Sequence, residues 1–291
     1  MNRLLENRSA VVVGGSRGVG RAVAELLATL GAAVVVNGRA EDAVSDTVNA
    51  ITAAGHAAIG FAGSPADEAT AEALIGTCVS HYGRIDILVN CAGIAEPPES
   101  SILTITGAQF DDLMTSHLGT VFHCCRAAAP RMVAQSAGAM VNTSSFAYLG
   151  DYGGTGYPAG KGAVNGLTMA IAAELREHGV RANVVCPGAK TRLSTGADYE
   201  GQIQTLHQRG LLDEISMQGA LAPAPPEYVA ALYAYLVSDL AEHVTGQILI
   251  GAGNFVGRFD RPAPALLGYR DHDTSPPWSL DELHGMVSAK S

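Results

Sequence analysis

The sequence has no C-x-x-C pair, no surplus of cationic charge and no apolar run approaching the ~20 residues of a membrane helix. Its five cysteines, Cys78, Cys91, Cys124, Cys125 and Cys186, are odd in number and scattered. That usage excludes a disulfide framework and reads as reduced, mostly buried thiols of a cytosolic protein. His, Cys and Asp nowhere cluster at metal-ligand spacing, so no metal is expected. The 18 Lys and Arg residues face 28 Asp and Glu residues, for a formal net charge of -10. A protein that tracks nucleic-acid phosphates needs the opposite, a basic face. The opening "MNRLLENRSAVVVGG" has too short an apolar stretch before its glycines for a secretory signal, and "SAKS" is no recognised address. A soluble, cytoplasmic chain is expected, with neither nucleic acid nor membrane as partner.

What is abundant is apolar surface, 47% of residues, enough for a substantial core without metals or disulfides. It is distributed rhythmically. Short β-branched runs ("SAVVVGG", "AAVVVN", "AAIGFAG", "IDILVN", "GAMVNTSS", "RANVVCPG", "GQILIGAG") alternate with longer Ala/Leu-rich segments at helical period. Seven nearly continuous apolar strands separated by helices predict an α/β, doubly wound (Rossmann) fold: a seven-stranded parallel sheet flanked by helices on both faces. One domain is expected over residues 1–256. Residues 187–226 form too long a connection for an ordinary loop and read as a lid or substrate loop. Residues 257–291 form a proline-rich tail, in which Leu266, Leu267, Tyr269 and Trp278 point to packing against something.

Between the first strand and first helix, "VVVGGSRGVGRAVAELL" places Gly14, Gly18 and Gly20. Glycines there allow a tight turn and the close approach of a pyrophosphate to the helix N-terminus. The same residues fit G-x-S-x-G, the nucleophile elbow of hydrolases, with Ser16 as nucleophile. That elbow usually follows several strands, and Ser16 and Arg17 read better as phosphate contacts. At the end of the second strand, "VVVNGRAED" puts Gly38 and Arg39 where an NAD site would carry an acid. Arg17 and Arg39 can clamp a 2′-phosphate, so NADP(H) is favoured over NAD(H).

In order and spacing, "GGSRGVG", "NCAG", the serines of "VNTSS", "YPAGK" and "CPGAKT" resemble the short-chain dehydrogenase/reductase family over about residues 8–257. "HLGTVF", "PEYVAALYAYL" and "GAGNFVGR" look like the branch with the hydroxyacyl-CoA dehydrogenase part of peroxisomal multifunctional enzymes. The resemblance implies that Tyr157 is the general acid/base. Lys161 would lower its pKa and hold the nicotinamide ribose, and a serine would polarise the carbonyl. Strand register gives that role to Ser145, whereas the family's usual separation from the tyrosine gives it to Ser144. Matching motif positions imply cofactor contacts at Gly14, Ser16, Arg17, Gly18, Val19, Gly20, Gly38, Arg39, Gly63, Ser64, Asn90, Ala92, Gly93, Tyr157, Lys161, Pro187, Gly188 and Thr191.

The chain departs from the family in four places. His117 replaces an Asn that holds a relay water; it is either a relay whose charge adds pH dependence or a packing histidine. Val13 replaces a Thr, Gly63 and Ser64 stand where an Asp binds adenine, and "GAGN" replaces "DGG" at an expected subunit contact. Leu149, Tyr152, Leu193 and the apolar loop 203–222 are expected to shape an apolar pocket, with Glu96, Pro97 and Pro98 on its far side. The expected activity is an NADP(H)-dependent ketoreductase or alcohol dehydrogenase acting on a small apolar carbonyl or alcohol. The alternatives are a non-catalytic dinucleotide sensor and a serine hydrolase built on Ser16. Helices around 107–136 and 156–178 carry Ala127, Ala128, Met132, Ala163, Leu167, Ile171 and Leu175, a stripe expected to join a homotetramer or dimer.

Overall fold

A computed structural model describes residues 3–191, 194, 196–210 and 212–288. The seven expected strands form as β1 (Ser9–Val13), β2 (Ala33–Gly38), β3 (Ala58–Ala62), β4 (Ile87–Asn90), β5 (Gly138–Thr143), β6 (Val180–Gly188) and β7 (Ile248–Ala252). All seven run parallel, and an eighth, β8 (Phe255–Phe259), pairs antiparallel with β7, giving the order β3-β2-β1-β4-β5-β6-β7-β8. The sheet thus has eight strands where seven were expected. β8 also runs through residue 256, where the sequence reading ended the domain. Its signal was present: Gly253-Asn254 is a two-residue connection between Ala252 and Phe255, which pair, and Gly253 has φ +55°. Such Gly-led dipeptides make tight hairpins.

Valine runs make the central strands because both faces are covered. On one face Ala10, Val12, Val34, Val36, Ile87 and Val89 pack under α1 (Gly18–Thr29), α2 (Glu41–Ala53) and a long helix near the C-terminal end of the sheet domain. On the other, Val11, Val13, Val35, Leu88 and Met140 pack under α3 (Glu68–Tyr82) and two later helices. The helix expected around 107–136 is divided into α4 (Gly107–Met114) and α5 (Thr120–Gln135) by a π-helical turn, Thr115–Gly119, with His117 buried at its centre. Such turns arise at irregular points in a helical ladder and often mark functional positions. α6 (Gly156–Glu174) follows β5. The long connection after β6 carries two helices, α7 (Ala197–Gln208) and α8 (Glu214–Leu221), and α9 (Glu227–Val237) then returns to the sheet.

The chain divides after Phe259. Residues from Asp260 onward form a second compact unit. The Arg270 guanidinium lies 3.8 Å from the Trp278 ring centroid and donates to the carbonyls of Pro276 and Pro277 and to Glu282. Ser279 caps α10 (Leu280–Ser288) through the Glu282 N–H. Trp278 therefore has a packing partner within the tail itself. Among the described residues, no helix is long and apolar enough to cross a membrane.

Candidate active site

β1 and β4 are neighbours at the centre of the sheet, but the chain goes from β1 to β2 on one side and from β4 to β5 on the other, so the strand order reverses between them. A crevice at the strand ends is where doubly wound sheets bind ligands. The loop after β1 is drawn tightly against the loop after β4. Gly14 has φ +72°, and a Cβ there would lie 2.8 Å from the Ala92 nitrogen. A Cβ on Gly20 would overlap the Gly14 carbonyl, so α1 begins directly against the turn. The first turn of α1 carries no acid, and its N-cap residue Arg17 makes no side-chain capping bond. The helix-end N–H groups are thus left for an external anion.

The other expected cofactor residues surround this turn. Ser16 packs against Gly38 at the end of β2, where a Cβ would overlap its hydroxyl. No described histidine or carboxylate hydrogen-bonds that hydroxyl. Arg17 and Arg39 are both exposed, and neither forms an ion pair with another described residue. Val19 is half-buried against the core. Gly63 donates its N–H to the Gly38 carbonyl at 2.9 Å, tying the β2 and β3 loops together, and Ser64 is exposed. The Thr191 methyl lies over Gly18, while Pro187 and Gly188 end β6 opposite Gly251 and Ala252. Asn90 belongs to a buried chain, donating to Asn142 (2.8 Å), which donates to Thr168 (2.9 Å). This cradle, with its close glycine approaches and uncapped helix end, fits the pyrophosphate-bearing dinucleotide implied by the fold.

β5 and α6 bring the polar cluster to the same end of the sheet. The buried Lys161 donates from Nζ to the Thr143 carbonyl at 3.0 Å, and its Nζ is 5.6 Å from the Tyr157 ring centroid. Burial pushes the Lys161 ammonium down to about 8, so it remains mostly charged at neutral pH. Tyr157 moves opposite to the expected direction: desolvation pushes its phenol up, and only the nearby Ser145 hydroxyl opposes this, with Cys186 and Tyr199 adding to the rise.

The two serines diverge. The Ser144 hydroxyl is buried and donates to the Lys161 carbonyl at 3.0 Å. Ser145 stands beside Tyr157 and accepts from the Ala147 N–H at 3.2 Å. His117 meets the Tyr157 ring edge-on, centroids 5.1 Å apart, and sits against Gly93, Gly160 and Lys161. Burial and the Lys161 charge push it down to about 3, so the expected pH dependence from its charge does not arise near neutrality. Neither ring nitrogen meets hydrogen-bond geometry with another described group.

Glu96, expected on the far side of the pocket, meets the start of α6. Its carboxylate accepts the backbone N–H groups of Thr155 (3.1 Å), Gly156 (3.1 Å) and Tyr157 (2.5 Å). Pro97 is half-buried and Pro98 exposed. Leu149 is 47% exposed, and Leu193 lies outside the described residues. Tyr152 stacks on Phe146 at 6.3 Å, and Phe259 of β8 packs on Phe146 and Tyr148. This aromatic group was missed because its last member belongs to the unexpected strand. Of the apolar 203–222 loop, Ile203 and Leu212 are buried.

Residues 8–198 match the family model described as short chain dehydrogenase. The chain is 35% identical over 245 residues to the short-chain reductase protein NovJ of Streptomyces niveus, covering 82% of this chain and 90% of that one. It is 34% identical over 252 residues to a 3alpha-hydroxysteroid dehydrogenase of Mediterraneibacter gnavus, covering 86% and 97% respectively. A crystal structure of a short chain dehydrogenase from Mycobacterium avium superposes with a TM-score of 0.81 at 30% identity, covering 98% of this chain and 95% of that one. The chain belongs to the short-chain dehydrogenase/reductase family, oxidoreductases that act on CH–OH groups.

Proposed function

We propose that this chain is an NADP(H)-dependent reductase or dehydrogenase of an apolar ketone or secondary alcohol, working through Ser145, Tyr157 and Lys161. The observation that carries this reading is the convergence of those three side chains beside the glycine cradle. The nicotinamide, when bound, supplies or accepts the hydride. The Ser145 hydroxyl holds the substrate oxygen, and the Tyr157 phenol gives it a proton in reduction and takes one in oxidation. Lys161, anchored on the Thr143 carbonyl, brings a fixed positive charge to the nicotinamide ribose side. Arg17 and Arg39, exposed and without ion pairs among the described residues, support the preference for a 2′-phosphate. The aromatic group around Phe146 and the 3alpha-hydroxysteroid dehydrogenase relative support an alicyclic substrate. Fluorescence titration with NADPH and NADH tests the cofactor: tighter binding of NADPH is expected, and equal or weaker binding contradicts it.

Replacing the two serines separately separates their roles. Ser145→Ala is expected to lower kcat by about 10²-fold, as loss of an oxyanion donor does. Ser144→Ala is expected to cost about 1 kcal/mol of stability through its lost hydrogen bond and to leave most turnover intact. A larger kcat loss at Ser144 overturns the assignment.

The subunits are proposed to assemble as a homotetramer in the cytoplasm. Ala127, Ala128 and Met132 are buried on their own sheet, which removes them from the expected contact stripe. Ala163, Leu167 and Ile171 are half-buried and Phe122 is 44% exposed, leaving an apolar face on α5 and α6. Light scattering at micromolar concentration should give a multiple of the 29.9 kDa chain mass; a monomer contradicts this.

A further inference from the structure

The helix that carries Tyr157 and Lys161 begins without a cap of its own. A helix leaves its first four backbone N–H groups without internal partners, and a Ser, Thr, Asp or Asn at its start usually serves one of them. Thr155 holds that place in α6, yet its side chain makes no capping bond. The four positions are nevertheless all accounted for. The N–H groups of Thr155, Gly156 and Tyr157 donate to Glu96, and the fourth position is Pro158, which has no N–H. Oε1 accepts from Thr155 and Gly156 and also from the Ser100 hydroxyl at 2.9 Å, whereas Oε2 accepts from Tyr157 alone. The cap therefore comes from the loop after β4, 61 residues away from Tyr157 in sequence.

The glycines before Tyr157 make room for this carboxylate. Gly154 has φ +78°, and a Cβ there would lie 2.5–2.6 Å from Glu96 Cγ, Cδ and Oε1. A Cβ on Gly156 would lie 3.4 Å from Oε2 and would press on Leu113 and Ile105. Helix start, glycine loop and carboxylate fit as one unit, closed on the residue whose side chain must meet the substrate oxygen.

We infer that Glu96 is a positioning residue for the reaction: by clamping the first turn of α6 through the Tyr157 N–H, it fixes where the Tyr157 phenol points. This rests on the reading of Tyr157 as the acid/base. Glutamine cannot reproduce the clamp, because whichever way its amide turns, its nitrogen faces donors that a carboxylate oxygen now accepts. A displacement of the reacting group by a fraction of an ångström affects turnover more than ground-state binding.

The test is steady-state kinetics of Glu96→Gln with NADPH and a ketone substrate, beside NADPH titration and thermal unfolding of the same protein. The expected result is a kcat lower by about tenfold or more with the NADPH Kd changed by less than about twofold. Wild-type kcat overturns the inference, as does a loss of kcat that only parallels a loss of NADPH binding. If Glu96→Gln does not fold, Ser100→Ala decides, since it removes a single bond to the same carboxylate. It should lower kcat by at least about threefold at unchanged Kd, and full turnover overturns the inference. Tyr157→Phe, run alongside, separates the two levels. An active Tyr157→Phe overturns the acid/base reading and this inference with it. An inactive Tyr157→Phe beside a fully active Glu96→Gln overturns this inference alone.

Discussion

Tyr157→Phe is expected to lower turnover by about 10²–10⁴-fold while leaving NADPH affinity nearly unchanged. The substitution removes one oxygen and keeps the ring, so the edge-on contact with His117 and the position over Lys161 survive. What is lost is the proton source for the substrate oxygen. The direction of the Tyr157 shift bears on this: burial holds the phenol protonated at neutral pH, the form that donates during ketone reduction. Alcohol oxidation needs the phenolate, so its rate should rise with pH. Stopped assays of purified Tyr157→Phe, with folding checked by circular dichroism, measure the effect. Turnover within about tenfold of wild type would remove Tyr157 from the chemistry.

Arg39→Asp is expected to weaken NADPH binding by about 10–10²-fold, because charge-assisted bonds to a phosphate are lost and a like charge is introduced. NADH binding should be unchanged or tighter, since a carboxylate at the end of β2 suits free ribose hydroxyls. The site favours this outcome sterically as well. Gly38 packs on Ser16, so the residue before Arg39 lies against the turn that follows β1. Equal weakening of both nucleotides would make Arg39 an ordinary surface charge.

The sheet was legible because β1, β2 and β4 carry short, nearly continuous apolar runs ("AVVV", "AVVV", "ILV") and β6 a shorter one, a pattern that burial on both faces explains. β8 itself was not, because "FVGRF" contains a glycine and an arginine and three of its five residues are exposed at the sheet edge; only the Gly253-Asn254 turn before it signalled a hairpin. The Tyr157–Lys161 pair was legible from its helical spacing together with the motifs around it. Which serine accompanies it was not, since one residue of register after β5 turns the side chain from the Lys161 carbonyl to the phenol. The charge state of His117 depends on burial against Lys161, and the role of Glu96 on a contact between two loops distant in sequence. Neither leaves a periodic trace in the chain.

The chemistry proposed for this crevice is hydride transfer between a nicotinamide and a carbonyl carbon. The direct measurement is incubation of the protein with NADPH carrying two deuterium atoms at nicotinamide C4 and a panel of alicyclic ketones, followed by mass spectrometry of the alcohols. An alcohol carrying one deuterium on its carbinol carbon is expected. NADPH bound tightly with no labelled alcohol from any ketone would contradict it and would point to a dinucleotide sensor instead.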